Sequence, residues 1–96
     1  MKVNIDEIQK ITFLLLSKLK DNIGNEVEIS NDYYWNIPNE ELFNPYEQPK
    51  GLTLGQMADD IEEVQRLLEY DNPIIYDLKR IASILTAITI EHPIAF

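Results

Sequence analysis

Residues 72–88 read NPIIYDLKRIASILTAI, and their spacing decides the fold. Ile74, Leu78, Ile81, Leu85 and Ile88 step by 4, 3, 4 and 3, which keeps them on one face of a helix. Ile75, Ala82 and Ile84 add a second apolar flank. A helix apolar nearly all round is either the central element of a small protein or a dimer surface. Asn72 is read as its cap, with Pro73 at the first helical position, where a missing N–H costs little.

Working outward, Met57, Ile61, Val64 and Leu68 step by 4, 3 and 4 and predict a second helix over residues 54–70. Thr53 followed by Gln56 matches a capping box at its start. Farther back, Ile5, Ile8, Thr12, Leu15, Leu19 and Ile23 mark a first helix over residues 5–22. Asn4 is its expected cap and Gly24 its expected C-terminal stop. Between the first two helices the period changes. Glu26-Val27-Glu28-Ile29 alternates like a half-exposed strand, Asn31-Asp32 is turn chemistry, and Tyr33-Tyr34-Trp35-Asn36-Ile37 reads as extended. Residues 38–52 contain Pro38, Pro45, Pro49 and Gly51 and are read as a loop with a possible helical turn at Asn39-Glu40-Glu41-Leu42. The expected fold is mainly α. It is a small three- to four-helix bundle, with an extended aromatic segment or short hairpin and a Pro-rich loop between the first two helices. The 96 residues have the length of a single domain, 1–96.

The chain carries 17 acidic and 8 basic residues, a net charge of −9, and has no cysteine. Disulfide scaffolds and thiol chemistry are excluded. Scattered lysines and arginines argue against nucleic-acid binding, which needs clustered basic residues. No apolar run is long enough to span a membrane, and acids occupy the N-terminal stretch where a signal peptide is apolar, so a cytoplasmic protein is expected. The charge is unevenly spread. Residues 1–25 hold four lysines against three acids, a net of +1; residues 26–71 hold two basic residues against twelve acids, a net of −10; residues 72–96 balance two against two. Charge concentrated in this way produces a local field able to steer a basic partner.

No motif supports an enzyme. His92 is the sole histidine, with no serine or cysteine placed to act as its nucleophile. Asp59, Asp60, Glu62 and Glu63 have carboxylate-bundle spacing but lack the histidine and second acidic helix of a di-metal site. No cofactor and no metal are therefore expected, and the acids read as a solvated or partner-facing surface. The run Asp32-Tyr33-Tyr34-Trp35 is the most unusual feature. Tyr and Trp combine large area with few rotors and a polar handle, which suits partner anchors. Tyr46, in the Pro-rich stretch, is a further candidate. Strand alternation places Tyr33 and Trp35 on one face and Tyr34 on the other; the larger pair is expected against the helices and Tyr34 toward a partner.

Asp32-Tyr33-Tyr34-Trp35-Asn36-Ile37-Pro38, then Asn44-Pro45-Tyr46 with Pro49, then Leu52-Thr53-Leu54-Gly55-Gln56 with Asp59-Asp60, resembles a widespread group of short bacterial proteins. The resemblance covers roughly residues 25–90. Members are similar to immunity proteins encoded beside secreted toxins, including those of contact-dependent growth inhibition systems. It implies a cognate toxin, read here as a basic nuclease domain, as partner. The partner-binding residues expected are Asp32, Tyr33, Tyr34, Trp35, Tyr46, Asp59, Asp60, Glu62 and Glu63. The alternative is a small homo-oligomeric adaptor or regulatory protein, a homodimer through the third helix.

Overall fold

The computed structural model describes residues 1–36 and 53–96. The elements in order are α1 (Ile5–Ile23), β1 (Tyr33–Asn36), β2 (Thr53–Gln56), α2 (Met57–Gln65), a 3-10 turn (Arg66–Leu68) and α3 (Tyr76–Glu91). Helix predominates, joined by one small antiparallel hairpin, so the mainly α class stands. The expected Pro-rich loop, its helical turn and Tyr46 lie outside the described residues.

Helix α1 begins and ends as its sequence predicts. The Asn4 side chain accepts the Glu7 N–H at 2.9 Å, and Gly24, at φ 89°, turns the chain out while its N–H closes on the Lys20 carbonyl. Asp6 and Glu7 lie in the electropositive first turn and Lys20 in the last, the arrangement that the helix dipole favours.

The hairpin differs from the expected one. Residues 26–29 form no strand. Instead β1 pairs with β2, with Tyr33 opposite Gln56, Tyr34 opposite Gly55, Trp35 opposite Leu54 and Asn36 opposite Thr53. The preceding segment is held elsewhere. The Glu91 carboxylate on α3 accepts both the Ser30 N–H at 2.9 Å and the Asn31 N–H at 3.0 Å, and the Ser30 hydroxyl at 2.8 Å. Those donors are thus not available to a sheet ladder.

Helix α2 starts at Met57, so Thr53 belongs to β2 and the expected capping box does not form. A cap arrives from outside the helix. The Asp32 carboxylate accepts the Ala58 N–H at 2.7 Å and the Gln56 Nε2 at 3.0 Å, while the Asp32 carbonyl accepts the Met57 N–H. Helix α3 likewise starts later than Asn72-Pro73 predicts. Its first turn is closed by Asp77, whose carboxylate reaches back to the Ile74 N–H at 2.8 Å.

The packing of α3 also departs from its periodicity. The face toward the hairpin and α2 carries Asp77, Arg80 and Ser83. The predicted core stripe divides in two. Leu85 and Ile88 are half-buried and face Leu15, Leu16 and Leu19 of α1 across a 330 Å³ groove. Ile74, Leu78 and Ile81 stay 60%, 67% and 40% exposed. Among the described residues only Met57, Asp60 and Asp77 are buried, and α1 buries none of its residues.

Candidate partner-binding surface

The site is built on the hairpin, and its inner face explains how the outer one is held. Tyr34 is half-buried beside Gly55, its cross-strand partner. A methyl group at position 55 would overlap the Tyr34 ring, so the glycine supplies the space in which that ring lies. The Tyr34 hydroxyl donates to the carboxylate of Asp60, which is only 7% exposed. Burial, followed by this carboxylate, pushes the Tyr34 phenol above its ordinary range, so it stays a donor. Asp32 completes the anchorage. Its carboxyl is held below the usual range by the Ala58 N–H and then by Gln56, so it caps α2 as an anion.

The outer residues of β1 are left uncovered. Tyr33 is 63% and Trp35 65% exposed, and Leu54, opposite Trp35, is 62% exposed. Alternation therefore holds, but the faces are the reverse of those expected. The smaller, hydroxyl-bearing Tyr34 is inside because Asp60 supplies its partner and Gly55 its space. Tyr33 and Trp35 border a 590 Å³ groove whose opposite wall is Ala82, Thr86 and Ile90 of α3.

A second, polar cleft of 240 Å³ flanks the other side of the hairpin, where Asp59 and Glu63 meet Tyr34, Tyr76 and Arg80. Arg80 stacks over the Tyr76 ring at 4.7 Å and bonds Asp77 at 2.6 Å. The Ile74 N–H and then Arg80 hold Asp77 below the ordinary carboxylate range. Asn36 Nδ2 donates to the Tyr76 hydroxyl at 3.4 Å.

The expected binding residues thus separate. Tyr33 and Trp35 form an exposed aromatic pair. Asp59 and Glu62 are exposed on α2. Glu63 is half-buried and paired with Arg66 at 3.2 Å. Asp60 accepts from the Tyr34 hydroxyl and Asp32 caps α2, so both position the hairpin. Tyr34, half-buried, lies on the inner face with them. The sequence reading missed Tyr76, Arg80 and Glu91. The i,i+4 spacing of Tyr76 and Arg80 signals the first two, whereas nothing local ties Glu91 to Ser30.

Among the described residues no three His, Cys, Asp or Glu side chains gather to hold a metal ion. His92 Nε2 lies 3.4 Å from the Glu28 carbonyl. No described helix is long and apolar enough to cross a membrane. No family model, curated protein or solved structure matches the chain.

Proposed function

We propose that this chain is an immunity protein that binds and neutralises a secreted bacterial toxin domain carrying a basic surface, with Tyr33 and Trp35 as its anchor. The observation that carries the reading is the hairpin itself. Two large aromatics stand 63% and 65% exposed on a strand whose opposite face is tied down by Tyr34–Asp60 and Asp32. A fixed aromatic pair loses little conformational freedom when a partner covers it, which is the property of an interface hot spot. The charge supports the same reading. The net −10 of residues 26–71 surrounds the hairpin in sequence, and Asp59 and Glu62 present it to solvent on α2. Such a field speeds the approach of a basic domain and disfavours acidic ones. The resemblance over roughly residues 25–90 to short bacterial proteins that are similar to immunity proteins supplies the partner class.

Co-expression tests this. A toxin domain from the adjoining gene should arrest growth alone and be tolerated with this protein. The double substitution Tyr33→Ala and Trp35→Ala should restore toxicity while the protein remains folded and abundant. Full protection by that variant would remove the aromatic anchor from the account.

A further inference from the structure

Strand β1 has a second edge, and its backbone points there. Tyr34 is opposite Gly55 and Asn36 opposite Thr53, and one bonded step earlier the Asp32 carbonyl accepts the Met57 N–H. Bonded and non-bonded pairs alternate along an antiparallel ladder. Asp32, Tyr34 and Asn36 therefore direct their backbone groups toward β2, while Tyr33 and Trp35 direct theirs away from it. Among the described residues no hydrogen bond reaches the N–H or C=O of Tyr33 or Trp35. Proline and charged side chains, the usual guards of an open edge, are absent from Tyr33–Asn36.

The 590 Å³ groove lies along this edge, because all its strand residues come from β1 and none from β2. The chain of β1 is tied to α3 on either side of the groove. Glu91 accepts the Asn31 N–H at 3.0 Å, and Asn36 Nδ2 donates to the Tyr76 hydroxyl at 3.4 Å. Between these ties α3 lines the groove with Ala82, Ser83, Thr86 and Ala87, whose small side chains leave room for a backbone. From Lys79 to Glu91 the helix rises about 18 Å, the length of about five strand residues.

We propose that the toxin domain is held by strand addition: an extended segment of it lies in this groove and pairs with the free edge of β1 as a third strand. The inference rests on the toxin reading above and names the part of the partner that the aromatic site takes. The N–H and C=O groups of Tyr33 and Trp35 bond the incoming backbone, and their side chains cover the neighbouring side chains of the added strand. The unpaired backbone calls for an extended chain, and charge says whose. A second copy would bring its own β1 within another segment of net −10, and like charge opposes that pairing. A basic segment is drawn to the same edge.

Amide exchange followed by NMR, on the full chain alone and with the toxin domain encoded by the adjoining gene, tests this. In the chain alone Tyr34 and Asn36 should exchange slowly, and Tyr33 and Trp35 fast. Saturating toxin domain should slow Tyr33 and Trp35 by about tenfold or more. If both stay fast in a formed complex, strand addition is overturned and the toxin reading stands; if no complex forms, both fall. Slow exchange of Tyr33 and Trp35 in the chain alone would show the edge already taken and overturn the proposal, and slowing that grows with concentration would identify a second copy as the occupant. A pair of variants separates backbone from side chain. Trp35→Pro, which also removes the outward N–H, should bind about three- to tenfold more weakly than Trp35→Ala, with the Tyr34 amide still slow in both. Equal affinities would mean that only the side chain is covered, and would overturn the added strand.

Discussion

Tyr34 shows how a single hydroxyl decides the orientation of a strand. Side-chain size alone puts Tyr33 and Trp35 inside. The structure instead buries the residue that can satisfy a buried acid, because an unpaired carboxylate in the interior costs more than two aromatics left in water. Tyr34→Phe removes the hydroxyl and leaves Asp60, at 7% exposure, without this donor. It should lower unfolding stability by roughly 1–3 kcal/mol, read by urea titration, and a wild-type value would show that the pair is dispensable. The alternation of β1 was legible in residues 32–36 because a strand has a fixed period of two. The identity of the inner face was not, since it depends on Asp60, 26 residues away, and on the room that Gly55, lacking a side chain, leaves for the Tyr34 ring.

At the level of elements, local signals were readable and long-range ones were not. Asn4 and Gly24 bound α1 as their chemistry requires. Thr53-Leu54-Gly55-Gln56 looked like a helix start but became β2, because its partner strand and the Asp32 cap both come from a distant part of the chain. Gly55→Ala should drive a methyl group into the Tyr34 ring and cost roughly 1–3 kcal/mol. The cost should shrink in a Tyr34→Ala background, and strict additivity in that double-mutant cycle would contradict the packing described. Glu91 supplies the other long-range tie, between α3 and residues 30–31. Backbone donors of Ser30, its hydroxyl, and the Asn31 N–H hold the Glu91 carboxyl below its ordinary value of about 4.5. The tie therefore stabilises the fold above that value and is lost as pH falls through the lowered one. Melting temperature should fall as the solution is acidified below about pH 5. Glu91→Gln should flatten part of that fall, and superimposable pH profiles would show that the tie carries no linkage.

Across the whole molecule the organising feature is the separation of charge from apolar surface. The three segment charges were countable in the sequence. Where the apolar stripe of α3 would find cover was not, because periodicity reports which residues share a face and not whether a neighbour reaches it. Leu85 and Ile88 line a groove with α1, while Leu78 stays 67% exposed. On the acidic side, exposed charges act over a Debye length of about 8 Å at physiological salt. Association with a basic toxin domain should slow steeply as salt is raised, and reversal of Asp59 and Glu62 to lysine should remove much of that dependence, as read by stopped-flow mixing. A rate indifferent to salt would rule out steering.

The central claim is that the uncovered aromatic pair of β1 holds the partner, and isothermal titration of the toxin domain into wild-type protein and into Trp35→Ala tests it most directly. Trp35 is 65% exposed, so its removal should leave folding stability within about 1 kcal/mol of wild type. Binding should weaken by about 2 kcal/mol or more, the threshold of a hot spot. Unchanged affinity with an intact fold would contradict the account.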